Sequence, residues 1–482
     1  MTVNSRSSYG VFLAIVVSLV GAVGAVGGFF VGRSTGQDAY VQKVSSLIAT
    51  ENRVMTLSAA LGAQVDDPTT AEALEKLYEV RIGDRDALVR RLRGIAWVPP
   101  YRPAPFVGHL ARPTFGGDLH INVLGFRDLR QGYLTKPERT VRIFITGGST
   151  AWGSGAPSQK QTIPSLLERI LNERISPRTG YRYEVINTAF PAWTTTQEKL
   201  LIQQRLVDMH PDVILMFSGT NDIHWARYGQ DIRWLYGPED QNYLMLLNEL
   251  YRSSGHADWT VVEPVASRPI QCPELARITA RNVEEAAFAA SGVGARLIFA
   301  LQPNIATTAK RLTRREQQLP EAQNRPYWGA CYRDLLERLG RVRAQNYRFV
   351  DLSRSLGELD DSTEVFIDSY HFAGLGNRIL AAALADNIDW RSITPSAAVK
   401  SKEALAIVSF EATESALRVV PNRFDKNLLA VFDETILPTT VGNDDLRASM
   451  PASLTARSGA HSIFLVDGMT GETSAPVVFR NR

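Results

Sequence analysis

Short apolar, β-branched runs alternate with amphipathic stretches through the middle of the chain. Val141–Thr146, Tyr183–Ile186, Val213–Phe217, Arg296–Leu301 and Tyr347–Leu352 have the character of strands buried on both faces. Between them, Ile163–Ile175, Gln197–Met209, Ala276–Ala290 and Tyr327–Ala344 repeat apolar residues at helical spacing, and Leu375–Asn387 closes the series. Five strands alternating with helices predict an α/β fold, a three-layer α/β/α sandwich around a parallel sheet. The stretch 223–275 is too long for a simple connection and is rich in Trp and Tyr, so it is expected to form a lid or a substrate wall.

The flanks differ from this core. No charged residue occurs from Ser7 to Gly32, and Val11–Val31 is almost wholly apolar, which predicts a membrane anchor over residues 1–34. A cleaved signal peptide is the alternative, but the apolar run continues through Phe29, Phe30 and Val31. Leu47, Val54 and Leu61 recur every seven residues, and a helical stalk is expected over 35–98. Pro99, Pro100, Pro103 and Pro105 then mark a boundary, with the catalytic unit expected over 99–395. Beyond it, over 402–482, Ala404–Phe410, Leu428–Phe432 and Ser462–Val466 lie between turn signals and predict a small β-sandwich.

Composition narrows the chemistry. With 44% hydrophobic and 21% charged residues over 482 positions, the chain is globular. A net charge of +3, with Lys and Arg spread along the chain, leaves no nucleic-acid footprint. The only cysteines, Cys272 and Cys331, exclude a disulfide-rich scaffold and a cysteine zinc site, while a single pairing outside the cytoplasm stays open.

Three clusters stand at strand or helix ends. Gly147–Gly148–Ser149–Thr150–Ala151–Trp152–Gly153 follows the first predicted strand, where a serine is presented at the carboxyl edge of the sheet. Ser218–Gly219–Thr220–Asn221–Asp222 follows the third and puts Asn221 at the same edge, where its amide can donate to a developing oxyanion. Asp368–Ser369–Tyr370–His371–Phe372 precedes the last helix and offers a base together with a carboxylate to orient it. Taken singly, they read equally as a tight turn or phosphate cradle, an Asx turn, and a helix cap or metal-ligand pair. Without a neighbouring Cys or a further His cluster, metal is the poorer reading of the last.

In this order, the three clusters resemble the blocks of the SGNH (GDSL-like) hydrolase family, over roughly Pro105 to Trp390. The resemblance includes the upstream stretch Ile121–Arg127. It implies Ser149 as nucleophile, His371 as base and Asp368 as its orienting partner, with no cofactor or metal. It also implies an oxyanion hole from the amides of Ser149 and Ala192 and the Asn221 side chain, supported by Gly148 and Gly219. Ala192 departs from the family, which carries glycine there; if that turn demands positive φ, alanine is strained by about 1 kcal/mol or more. Trp152, Trp193, His224 and Trp225 adjoin these blocks and are candidate acyl or sugar subsite residues, with core packing the alternative for at least half of them. The C-terminal segment Gly471–Pro476 with Val477–Phe479 resembles the last strands of IPT/TIG-type immunoglobulin-like domains, a module expected to bind protein or polysaccharide. The expectation is an inner-membrane-anchored esterase with its body outside the cytoplasm, acting on acyl, first O-acetyl, esters of an envelope carbohydrate or lipid. An acyltransferase using the same triad, or a non-catalytic binding protein, are the alternatives.

Overall fold

The five apolar runs form one parallel sheet in the computed structural model. It describes residues 54–482 except 105, 115–117, 131, 234–246, 261–265, 267, 400–403, 414, 434, 451–458 and 482. The strands are β1 (Thr140–Gly147), β2 (Arg182–Asn187), β3 (Val213–Ser218), β4 (Arg296–Leu301) and β5 (Tyr347–Asp351). Their order across the sheet is β2-β1-β3-β4-β5, with every neighbouring pair parallel. All eight residues of β1 and all six of β3 are buried, as expected for central strands covered on both faces. The covering helices are α1 (Ile163–Arg174), α2 (Thr195–Gln204), α3 (Thr220–Arg227), α4 (Cys272–Gly292), α5 (Arg325–Leu339) and α6 (Gly374–Asn387). The predicted Gln197–Met209 helix stops at Gln204, and Leu206–Met209 tightens into a 3-10 turn ending at His210, which is left-handed with φ +54°. Cys272 at the start of α4 is disulfide-bonded to Cys331 in α5, their Cα atoms 4.5 Å apart.

The expected stalk is corrected over its described part. Residues 54–98 fold back as helices Pro68–Leu77 and Arg85–Arg93 and a short antiparallel pair, Met55–Thr56 with Ala96–Val98. Leu57, Leu61, Leu74, Leu88 and Leu92 form a core that includes Ile367 and Ala373, on either side of the Asp368–His371 loop. Of the apolar repeat, the described Val54 and Leu61 pack within the chain. The expected anchor over 1–34 and the start of the stalk lie outside the described residues. Among the described residues no helix is long and apolar enough to cross a membrane. Within the 223–275 stretch, 234–246 and much of 261–267 are likewise outside the description.

At the C-terminus, two four-stranded antiparallel sheets share one core, to which Leu417, Val419 and Leu446 contribute from one sheet and Leu428, Phe432, Ile463 and Leu465 from the other. Val431 and Val466 point the other way and join the core of the main sheet.

Candidate active site

The three clusters meet at the carboxyl edge of the sheet. β1 ends at Gly147, Gly148 takes an extended conformation, and Ser149 opens a single helical turn, Ser149–Trp152, closed by left-handed Gly153. Ser149 Oγ lies 2.6 Å from His371 Nε2. On the other side of the ring, His371 Nδ1 lies 2.9 and 2.8 Å from the two Asp368 carboxylate oxygens. Asp368 Oδ1 also accepts from the amides of Tyr370 and His371, at 2.8 and 2.9 Å, so the loop closes on its own carboxylate. Burial pushes the Asp368 carboxyl up, but the His371 charge, the ring hydrogen bond and the two amides together hold it below the usual carboxylate range. An ionised Asp368 fixes Nδ1 as the protonated nitrogen and leaves Nε2 free to accept from Ser149.

The opposite wall carries the donors. Asn221 follows Gly219, whose φ of +102° and whose approach to Leu301 Cδ1, 2.5 Å from where a Cβ would stand, admit only glycine. Asn221 Nδ2 gives one hydrogen to the Trp193 carbonyl at 2.7 Å, leaving its second for a ligand. A Cβ on Gly148 would sit 2.2 Å from that nitrogen, so Gly148 is what lets Asn221 come close. Ala192 has φ +66°, the left-handed conformation expected of the family's glycine. Among the described residues, the amides of Ser149 and Ala192 have no hydrogen-bond acceptor in the protein. Asp222 is structural: buried, it accepts from the Thr195 amide and from the Thr195 and Thr279 hydroxyls, joining α2 and α4 to α3.

The four expected subsite residues divide. Trp152 and Trp193 are buried in the core, Trp152 under the Arg127 guanidinium and Trp193 against Phe190 and His109, so neither lines a subsite. His224 and Trp225 are half-buried beside the site. His224 Nδ1 lies 2.9 Å from the Tyr370 hydroxyl, and Trp225 Nε1 donates to the Ala192 carbonyl at 3.3 Å.

Several contributors escaped sequence reasoning. Trp97, from the segment expected to be stalk, packs its ring edge to face 4.4 Å from the His371 ring. Its carbonyl accepts from the Ser154 hydroxyl at 2.6 Å, and the Tyr78 hydroxyl donates to the Gly155 carbonyl at 2.8 Å. The apolar run Ile95–Val98 ahead of the prolines was the available signal. Buried Glu198 accepts from the Thr146 hydroxyl of β1 at 2.6 Å and the Ser218 hydroxyl of β3 at 2.5 Å, tying together the two strands that lead into Ser149 and Asn221. Burial, against those two hydrogen bonds, pushes it up to about 8. Its spacing from Leu201 and Ile202, on the buried face of α2, was its only mark in the sequence. Arg315 donates to the carbonyls of Phe366 and Ile367, and Glu316 accepts from the amides of Val365 and Phe366, so the chain just before Asp368 is gripped from both sides. Nothing in the sequence pattern announces that pair. Among the described residues no cluster of His, Cys, Asp and Glu is arranged to hold a metal ion. A cavity of about 420 Å³ lies at the opposite end of the sheet, against Arg296, Asn346 and Tyr347.

A search of the curated proteins found no match. Among solved structures, Axe2, an acetylxylan esterase from Geobacillus stearothermophilus, is similar at 14% identity and a TM-score of 0.31, over 52% of this chain and 94% of that one. LAE5, an alpha/beta hydrolase enzyme from the metagenome of Lake Arreo, Spain, aligns at 15% identity with a TM-score of 0.31, covering 53% and 97%. TesA aligns at 14% identity with a TM-score of 0.32, covering 52% and 99%. At these identities and scores the likenesses do not bear on what this chain acts on. The family comparison does: residues 145–379, which run from β1 into the last helix of the sheet and contain all three clusters, match the GDSL-like Lipase/Acylhydrolase family. Over that span the chain carries a GDSL-like lipase/acylhydrolase domain, and it is a serine hydrolase acting on ester bonds.

Proposed function

We propose that Ser149, His371 and Asp368 are the catalytic triad of this hydrolase and that its substrate is an acyl ester, first an O-acetyl ester, of a carbohydrate outside the cytoplasmic membrane. The observation that carries the reading is the unbroken line of short contacts from Asp368 through His371 to Ser149 Oγ. In the first half-reaction Ser149 Oγ attacks the ester carbonyl carbon while its proton passes to His371 Nε2. The carbonyl oxygen becomes an oxyanion, met by the amides of Ser149 and Ala192 and the unspent hydrogen of Asn221 Nδ2. Collapse breaks the carbon–alkoxy bond, His371 returns the proton to the departing alcohol, and an acyl-serine remains. Water, deprotonated by the same imidazole, then releases the acid. Asp368 stays ionised throughout, holding the ring tautomer and balancing the imidazolium.

The compartment reading rests on the apolar run Val11–Val31, long enough to span a bilayer, and on the Cys272–Cys331 disulfide, a bond that persists in oxidising surroundings. The C-terminal sheets serve in this reading as a module for protein or polysaccharide. The full-length protein incubated with p-nitrophenyl acetate tests the enzyme. Turnover lost in Ser149→Ala supports the triad, and equal rates for both proteins overturn it.

A further inference from the structure

Beside the triad stands a second imidazole that the proposed mechanism does not use. His224 lies on α3 one turn beyond Asn221, so the two side chains share a helix face. Its Nδ1 is 2.9 Å from the hydroxyl of Tyr370, which directly precedes His371 in the catalytic loop and donates its amide to Asp368. Behind Tyr370 sits buried Glu321, which receives the Arg227 guanidinium on one oxygen and Trp328 Nε1, at 2.6 Å, on the other. Either atom can be the donor across the His224–Tyr370 contact. With the hydrogen on Nδ1, donating to the phenolic oxygen, a neutral imidazole keeps a bare lone pair on Nε2. Burial holds the imidazole at about 4, against the upward pull of Glu321, so the ring is neutral near pH 7. Among the described residues Nε2 has no protein partner, and it is not sealed from solvent. Rings surround the imidazole, centroid to centroid: Trp225 at 4.9 Å, Tyr228 at 5.1 Å and Tyr370 at 5.3 Å, with Tyr228 53% exposed.

We propose that His224, fixed by Tyr370, is a specificity residue whose Nε2 accepts a hydrogen bond from a free hydroxyl on the alcohol part of the ester, a sugar hydroxyl near the acylated position, with Trp225 and Tyr228 against the sugar's C–H faces. This deepens the esterase reading and rests on it. An acceptor at that place selects for hydroxyl-bearing alcohols, because an ether or a hydrocarbon there leaves the lone pair unmet.

The test compares kcat/KM of the full-length protein on a mono-O-acetylated methyl glucoside with free neighbouring hydroxyls and on the same ester with those hydroxyls O-methylated. The wild-type ratio should be well above one and should fall about tenfold or more in His224→Ala, the size expected for one lost hydrogen bond. His224→Gln, whose amide oxygen also accepts, should recover part of it. Both esters are read on the same protein, so partial misfolding cancels in the ratio. Turnover of p-nitrophenyl acetate with a wild-type ratio near one, or with a ratio unchanged in His224→Ala, overturns the His224 assignment and leaves the esterase reading intact. Absence of any wild-type turnover overturns both.

Discussion

Replacing Gly148 by alanine isolates one interaction in this site. The backbone does not resist the change, because Gly148 has φ −84° and ψ −158°, a conformation open to any residue. The new methyl carbon would stand 2.2 Å from Asn221 Nδ2 and 3.1 Å from its Cγ, while the Trp193 carbonyl oxygen, at 3.5 Å, is in ordinary contact. Asn221 must retreat by roughly 1 Å to restore van der Waals contact. That shift stretches its 2.7 Å bond to Trp193 and withdraws the second amide hydrogen from the oxyanion. Losing one oxyanion donor costs roughly 3–4 kcal/mol of transition-state stabilisation, about a hundredfold to a thousandfold in kcat. Gly148→Ala is therefore expected to lose about as much activity as Asn221→Ala. The double variant should lose little more than either, since both act through one donor. Initial rates on p-nitrophenyl acetate for the four proteins, with melting temperatures as a folding control, complete the cycle. A folded Gly148→Ala protein within about threefold of wild type, or losses that multiply in the double variant, would refute the assignment of Asn221.

Other residues give independent checks. Glu198, raised to about 8 from an ordinary 4.5, contributes stability that is complete below pH 4.5 and is lost as pH rises through about 8. The melting temperature of wild type relative to Glu198→Gln should thus fall between about pH 5 and about pH 9, and parallel curves would contradict this. Trp97→Ala removes the ring set against His371; at about 0.5–1.5 kcal/mol for such a contact, kcat should fall roughly 2- to 10-fold, with Trp97→Phe recovering most of it. Unchanged kcat in Trp97→Ala would reduce that ring to packing. Ala192→Gly relieves a left-handed alanine and keeps its amide, so kcat should be retained; a tenfold loss would mean that the methyl group itself matters.

Much of this site was legible because its carriers sit where chain direction changes. The runs at 141–146 and 213–217 ended in glycine turns, and in a parallel sheet both ends fall on one edge, so Ser149 and Asn221 were brought together by topology alone. Asp368 and His371 are three residues apart on a loop, close enough to read as a pair. What stayed hidden depends on long-range packing. Trp97 reaches His371 only because residues 54–98 fold back over the loop, and heptad spacing gives the same apolar signature to a folded-back helix as to a stalk. Trp152 and Trp193 lie as near the clusters in sequence as His224 and Trp225, yet point into the core, and adjacency carries no information about which face a ring takes. The grip of Arg315 and Glu316 on residues 365–367 joins segments about fifty positions apart through carbonyls and amides, which leave no mark in side-chain pattern.

The account stands most directly on the nucleophilic oxygen of Ser149. Treating the full-length protein with a fluorophosphonate and sequencing the modified peptide by mass spectrometry reads it without any choice of substrate. The label is expected on Ser149, with labelling much slower in His371→Ala, which lacks the base. A label on another serine, or ester turnover that persists while Ser149 remains unmodified, would contradict it.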